Sequence, residues 1–82
     1  MVAVRVLLFA AMAERAGVRS IEVPHAAGDT VAAVRERVLE ARPRLREFVP
    51  TLLYALDEEY VREEAPVADG ATVAFIPPVS GG

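Results

Sequence analysis

Hydrophobic and polar residues alternate with a period of two at the start of the chain. The even-numbered residues from 2 to 8 are all Val or Leu, which is the pattern of a strand with one buried face. Leu7 and Phe9 make the other face apolar near its end, so we predict a central strand over residues 2–9 that is covered on both sides. Residues 10–16 are good helix formers, which predicts a short helix. Gly17 follows them and can adopt the left-handed backbone conformation that ends many helices.

A second strand and the main helix follow. Ile21 and Val23 alternate with polar neighbours, which indicates a half-buried strand that Pro24 ends or places at a sheet edge. Apolar residues then recur at positions 31, 34, 38 and 41, so one helix face is apolar. Asp29 or Thr30 can cap this helix, and Pro43 should stop it near residue 41.

The second half of the chain predicts strands. A brief turn containing Leu45 and Phe48 should precede a short strand over residues 52–56, and the acids 57–59 then suggest a hairpin. Asp69-Gly70 forms a turn before a last strand over residues 71–76. The resulting order predicts an α+β domain, a mixed sheet with the main helix packed on one face. We assign this domain to residues 1–76 and an extended tail to residues 77–82.

Composition narrows the class of function. The 82 residues include no Cys and give a net charge of −3. Without cysteine there is no disulfide, thiolate metal site or cysteine nucleophile, and the excess of acid argues against sequence-independent binding to nucleic acid. The longest uncharged early run, residues 6–13, is far shorter than the about 20 residues that cross a membrane. We therefore expect a cytoplasmic protein that does not bind membranes.

Side chains offer little catalytic chemistry. His25 is the single histidine, and it follows Pro24 in an expected loop without a carboxylate within three positions, so a surface or capping role is favoured over a general base or metal ligand. The acids 57–59 point in different directions on a turn, which favours a solvated turn over a metal site. We predict no metal site.

The last residues carry the strongest signal. From residue 70 onward no side chain is charged, and Pro77-Pro78 is followed by progressively smaller residues. Two prolines favour an extended arm, which could project roughly 20 Å at about 3.1 Å per residue. Gly81 and Gly82 have no Cβ, so another protein could surround this backbone closely and act on the terminal carboxylate. The reactive group would then belong to the main chain.

The chain resembles the small, sulfur-carrying subunits of molybdopterin synthases over essentially its whole length. Asp57 departs from the Asn that is frequent in that family, which affects a local turn contact. The resemblance rests on the ending 73–82 (VAFIPPVSGG), the turn Asp69-Gly70, the segment 6–10 (VLLFA) with Glu14 and Gly17, the helix start Thr30-Val31, and Glu59-Tyr60-Val61.

This resemblance implies a ubiquitin-like β-grasp fold and a role for Gly82. A partner enzyme would use ATP to adenylate its carboxylate, and sulfur would then replace AMP to give a thiocarboxylate. The arm would enter the large synthase subunit, in a complex of two small and two large subunits, where sulfur passes to cyclic pyranopterin monophosphate. The carrier would bind no cofactor and would not be a catalyst by itself. The partner-binding residues expected from the resemblance are Phe75, Pro77, Pro78, Val79, Ser80 and Gly81.

Several alternatives stay open at this point. Phe75 could equally pack in the core, since it lies in a predicted strand. Related carriers serve thiamin, cysteine or tRNA thiolation, and a ubiquitin-like modifier would instead be joined to lysines of other proteins. The absence of lysine from this chain follows from codon bias or from a need to avoid self-acylation of the activated terminus, because protonated arginine is not a nucleophile.

Overall fold

The computed structural model describes residues 2–78, which form a mixed five-stranded sheet with helices on one face. No helix in this part of the chain is long and apolar enough to cross a membrane. The predicted order of elements and the α+β class are confirmed. The strands are Ala3–Leu8 (β1), Ser20–Pro24 (β2), Leu53–Leu56 (β3), Glu59–Val61 (β4) and Thr72–Ile76 (β5), and the helical elements are Ala10–Ala16 (α1), Val31–Ala41 (α2) and a 3₁₀ segment, Pro43–Thr51.

The strand order is β2-β1-β5-β3-β4. The two central strands, β1 and β5, run parallel, and every other pair is antiparallel. Because β1 and β5 share one direction, the end of β1 and the end of β5 lie at the same edge of the sheet. The last described residues therefore leave the fold beside the start of α1.

Local sequence signals set the ends of the helices. Thr30 is the N-cap of α2, and its hydroxyl accepts a hydrogen bond from the Ala33 amide at 3.2 Å, so of the two predicted caps the structure uses Thr30. Helix α1 ends at Gly17 with φ +77°, a conformation that costs glycine little. Helix α2 ends at Ala41, as predicted, because Pro43 cannot continue it.

The core lies between the helices and one sheet face. Apolar residues of α2, β1 and β5 belong to one buried cluster, and the ring of Tyr54 meets that of Phe75 edge-on with centroids 5.6 Å apart. Such aromatic pairs add to the stabilisation that burial provides. The fully buried core side chains include Val4, Val6, Met12, Val31, Val34, Val38, Leu39, Leu45, Val73 and Phe75.

Two expectations need correction. The predicted cover on both faces of β1 is wrong, since within residues 2–78 the helices pack on one face only, and the exposed residue Arg5 and half-buried Leu7 mark the other face. The brief turn around Leu45 is a nine-residue 3₁₀ segment that includes Pro50. Proline lacks an amide hydrogen, so it fits a segment that connects two elements better than the interior of an α-helix.

Candidate partner-binding surface at the base of the tail

Strand β5 holds the base of the tail in a fixed position. It is hydrogen-bonded to β1 on one side and to β3 on the other, with Phe75 opposite both Leu8 and Tyr54. Pro77 is buried and Pro78 is exposed, so the chain leaves the core between the two prolines. The last residues therefore start from the most constrained strand of the sheet.

An apolar patch covers the sheet face opposite the helices. Leu53 pairs with Ile76, and Ala74 pairs with both Leu7 and Ala55, so these side chains share one face. Tyr60 joins them from β4, opposite Ala55. The fractional exposure is 53% for Leu53 and 74% for Tyr60. Leu7 and Ile76 are half-buried on the same face, whereas Ala74 is buried beneath its neighbours. We call Leu7, Leu53, Tyr60 and Ile76 the open-face patch.

Large apolar side chains left in water on one face of a sheet are typical of a protein-protein contact. The open-face patch continues directly into the tail, because Ile76 belongs to the patch and is followed by Pro77. A partner that receives the tail would therefore cover the patch at the same time. This continuity makes the patch and the tail one candidate site.

Alternation along β5 separates two neighbouring residues that look equivalent in the sequence. The side chain of Phe75 is fully buried in the core, which corrects the prediction that it contacts a partner and supports its alternative, core packing. Ile76 points to the opposite face, since successive strand residues alternate. Of the two, Ile76 is the residue that a partner can reach.

A second apolar surface lies where β1 ends and α1 begins. Phe9 is 44% exposed and Val18 is 36% exposed, and both line a cleft with Ala13 and Glu14 between α1 and the start of β2. The backbone at Ala10 turns sharply, with φ +51°, a conformation that is uncommon for a residue with a Cβ. Strand β1 ends at Leu8, Phe9 is the N-cap of α1, and the helix starts at Ala10.

The predicted arm lies largely outside the described residues. Val79, Ser80, Gly81 and Gly82, including the predicted reactive group, are not described, so those predictions stay predictions. Of the remaining arm residues, Pro77 is buried and Pro78 is exposed. The structure thus describes the base from which the arm starts.

His25 and Asp29 lie at the opposite end of the sheet. His25 Nε2 contacts the Val67 carbonyl oxygen at 2.6 Å, which is a structural contact between loops of the kind expected for a capping histidine. The buried carboxylate of Asp29 accepts hydrogen bonds from the Ala26 amide at 2.8 Å and from Arg37 Nη2 at 2.7 Å. Hydrogen bonds from Arg37 lower the pKa of Asp29 from 3.8 to about 2. This pair fixes loops far from the tail.

A half-buried cation, Arg35, joins the main helix to the sheet. Arg35 donates hydrogen bonds to the Tyr54 hydroxyl at 3.0 Å and to Glu63 at 3.2 Å. Burial alone lowers the pKa of Arg35, but these hydrogen bonds and one to Glu36 raise it above its ordinary value. Arg35 therefore stays charged and holds the ring that packs on Phe75.

The first acid after β3 has a structural contact. The Asp57 carboxylate accepts a hydrogen bond from the Thr72 amide at 3.0 Å, so it fixes the turn to the start of β5. Among the described residues no group of three or more His, Cys, Asp or Glu side chains is placed to hold a metal ion.

Solved structures with the same fold place the chain in a class. The crystal structure of SAMP1 from Haloferax volcanii is 30% identical, with a TM-score of 0.88, and the match covers 98% of this chain and 99% of that one. A ubiquitin from Caldiarchaeum subterraneum, 21% identical, matches with a TM-score of 0.63 over 99% of this chain and 98% of that one. The protein is a ubiquitin-like β-grasp protein.

The sequence identifies the family. It matches the ThiS family over residues 6–82, and the chain belongs to that family. A molybdopterin synthase sulfur carrier subunit from Chlamydomonas reinhardtii is 36% identical over 81 residues, covering 96% of this chain and 98% of that protein. One of the same name from Arabidopsis thaliana is 35% identical over 81 residues, covering 99% and 84%.

A solved complex shares the fold as well. The complex of subunits 1 and 2 of the molybdopterin-converting factor from Helicobacter pylori contains a chain 21% identical to this one, with a TM-score of 0.70 and coverage of 98% and 99%. A chain of this fold is thus found in a complex of two different subunits.

Sequence reasoning missed the open-face patch. Leu53, Tyr60 and Ile76 are far apart in the sequence and meet only because β5 lies between β1 and β3. One signal was available, since Leu7 makes the second face of β1 apolar. This pattern predicts a second covering layer within the chain, although an exposed binding face gives the same pattern.

Proposed function

We propose that this protein is the sulfur carrier subunit of a molybdopterin synthase. The observation that carries the proposal is that this chain is 36% and 35% identical, over nearly its full length, to two proteins of that name. The uncharged ending that follows the central strand β5 supports the same role. In this role the protein delivers sulfur and the partner provides the catalytic groups.

The proposed chemistry takes place at the carbonyl of Gly82. The carboxylate attacks the α-phosphate of ATP on a partner activating enzyme, which forms an acyl adenylate and releases pyrophosphate. A sulfur nucleophile supplied by the activating system then displaces AMP to give the thiocarboxylate. A free carboxylate is a poor electrophile, so activation must come before sulfur capture. We assign this role to the cytoplasm.

The large synthase subunit is the proposed receiver of the arm. Residues 78–81 would enter its channel, since Pro77 is buried in the fold. The thiocarboxylate sulfur would displace an oxygen substituent of cyclic pyranopterin monophosphate, and water would cleave the resulting thioester, which leaves the sulfur on the pterin and restores the carboxylate of Gly82. Two such transfers supply the two sulfur atoms of the dithiolene. The proposed assembly contains two small and two large subunits. Coverage of the open-face patch, above all Tyr60 and Leu53, would stabilise it.

A mass measurement tests the carrier role. Incubation with the activating enzyme, ATP and a sulfur source should raise the intact mass by about 16 Da, the difference between sulfur and oxygen. Deletion of Gly82 should abolish both the mass increase and sulfur donation, while the circular dichroism spectrum stays that of the parent protein. The control is Ala68→Gly, an exposed loop position distant from the tail, which should gain the same mass as the parent. Product formation by the truncated protein would remove Gly82 from the mechanism.

A role as a protein modifier is the second candidate. It is supported by the 30% identity to a structure named SAMP1, a name that the solution structure from Methanosarcina acetivorans gives in full as small archaeal modifier protein 1. Attachment to other proteins would use the same activated carbonyl, with a lysine amine instead of sulfur as the attacking group. Conjugates of higher mass in extracts of the source cells, absent when Gly82 is deleted, would support this candidate.

A further inference from the structure

Two arginines of helix α2 connect the helical layer to different parts of the sheet. Arg35 Nη1 donates a hydrogen bond to the hydroxyl of Tyr54 in β3 at 3.0 Å. Arg37 Nη1 donates to the carbonyl oxygen of Pro24, the last residue of β2, at 3.1 Å, and Arg37 also pairs with Asp29. Since the strand order is β2-β1-β5-β3-β4, Arg35 contacts a neighbour of β5, whereas Arg37 contacts the edge strand on the other side of β1.

The hydrogen bond from Arg35 acts beside the base of the tail. Tyr54 lies opposite Phe75 in the register of β3 and β5, and the two rings meet edge-on with centroids 5.6 Å apart. The next pair is Leu53 with Ile76, at which β5 ends. The chain of contacts from Arg35 through Tyr54 to Phe75 therefore reaches the residue before the end of this strand.

The part of the sheet that Arg35 supports is built from short strands. Strand β3 has four residues, and β4, at the edge of the sheet, has three. Elements with few ladder hydrogen bonds open locally at a small cost in free energy. Arg35 also donates to Glu63, which follows β4, at 3.2 Å, and only 13% of the Arg35 side chain is exposed. These hydrogen bonds join β3 and the segment after β4 to α2.

We propose that Arg35 is a positioning residue for the tail, because through Tyr54 it keeps β3 paired with the end of β5 and so fixes the place where the tail leaves the fold. This inference rests on the proposed function, in which the large synthase subunit receives the tail. Freedom at the start of an inserted segment is lost on binding, and this loss weakens binding. Arg35 takes no part in the chemistry at Gly82, so it should affect the binding of the carrier and not the rate of sulfur transfer from the bound tail.

Arg37 offers a matched control on the same helix. Its contacts with Asp29 and Pro24 fix loops at the end of the sheet away from the tail. Arg35→Met and Arg37→Met each remove one guanidinium group, and methionine keeps an unbranched stem and a high helix propensity. Both variants should be less stable than the parent, but only the first should change the tail. Tyr54→Phe removes the accepting hydroxyl alone, so it tests the same contact with a smaller perturbation.

Amide hydrogen exchange of the free full-length protein measures the pairing of β3 with β5. The readout is the exchange rate of residues 53–56 and 73–76 divided by that of residues 20–23 in β2, so that a general loss of stability cancels. Arg35→Met should raise this ratio about 3- to 10-fold, since a hydrogen bond is worth a factor of about 2 to 12 in an equilibrium constant. Arg37→Met should leave the ratio unchanged or lower it.

Sulfur-transfer kinetics with the large synthase subunit measure the consequence for function. The thiocarboxylate form of the protein is the varied substrate, at a temperature below the melting temperature of each variant. Arg35→Met should raise KM about 3- to 10-fold and change kcat by less than about 2-fold, which is the signature of lost binding that is equal in the ground state and the transition state. Tyr54→Phe should raise KM about 2- to 5-fold, and the double variant should resemble Arg35→Met, since one shared contact is lost only once. Arg37→Met should change neither constant by more than about 2-fold, because its contacts are distant from the tail.

Equal increases of KM in Arg35→Met and Arg37→Met would overturn the proposal, because they would show a general effect of stability. An unchanged exchange ratio in Arg35→Met would overturn it as well, and so would a double variant whose increase in KM is the product of the two single increases. Failure of the proposed function has a different signature. The parent protein would then neither gain sulfur nor donate it, whereas the exchange ratio is measured without a partner and would still report the role of Arg35.

Discussion

The buried carboxylate of Asp29 should make the stability of this protein depend on pH. Only 5% of the surface of Asp29 is exposed to solvent. The carboxylate accepts hydrogen bonds from Arg37 and from the Ala26 amide. The Val67 amide donates to the Asp29 carbonyl at 2.8 Å. Asp29 therefore joins the loop before α2 to the loop before β5.

The size of the effect follows from the pKa. A decrease from 3.8 to about 2 corresponds to about 2 kcal/mol at neutral pH. Since the pKa in the folded state lies below that in the unfolded state, this stabilisation is complete above the unfolded value and is lost as pH falls from about 5 to about 2. About half of it should be left at pH 3.

Substitution Asp29→Asn should lower the free energy of unfolding by about 2 to 3 kcal/mol at pH 7, because Arg37 loses its charged partner in a largely buried place. The difference from the parent should shrink to about 1 kcal/mol at pH 3, where the parent carboxylate is partly protonated. Urea unfolding followed by circular dichroism at pH 7, 5 and 3 measures both values.

The control for this experiment is Glu14→Gln, which removes an exposed carboxylate from α1, away from the Asp29–Arg37 pair, and should change the free energy of unfolding by less than about 0.5 kcal/mol. An Asp29→Asn variant as stable as the parent at pH 7 would show that the ion pair does not stabilise the fold. A loss that is the same at pH 7 and pH 3 would show that the effect does not come from ionisation.

Two further predictions concern the core and a turn. Phe75→Ala should lower the free energy of unfolding, measured by urea titration, by about 3 to 5 kcal/mol. Tyr60→Ala should change that free energy by less than about 1 kcal/mol and should instead weaken binding to the large subunit, measured by calorimetry. The reverse pattern would contradict the assignment of these two residues to the core and to the open face. Glu58 has φ +74°, a conformation that glycine adopts more easily. Glu58→Gly should therefore raise the free energy of unfolding by about 0.5 to 1 kcal/mol and raise the melting temperature with it. An unchanged or lower melting temperature would show that this turn is not strained.

The contrast between the two ends of the sheet bears on function. The Asp29 ion pair and His25 fix loops at one end, whereas the tail base, the open-face patch and the cleft at Phe9 lie toward the other. Changes at Asp29 should therefore affect stability without altering sulfur capture below the melting temperature. The contacts of Asp29 and the base of the tail are separate in space.

Local patterns in the sequence determined the elements of this protein. Alternation predicts β1, β2 and β5, and Pro43 ends α2 near Ala41, because these features depend on backbone geometry over a few residues. The last residues of the chain also stand out in the sequence alone, because they carry no charged side chain, contain two prolines and end in two glycines. The fold class and the candidate reactive residue Gly82 follow from such local information.

Tertiary structure decided which residues face a partner. Phe75 and Ile76 are adjacent apolar strand residues, and only the pairing of β5 with β1 and β3 shows that the first lies in the core and the second on the open face. Asp29 and Arg37 similarly meet through the packing of a loop on α2, which no short-range pattern encodes. Side-chain periodicity says that two faces differ, but which face is covered depends on where the helices pack, and that is a property of the whole chain.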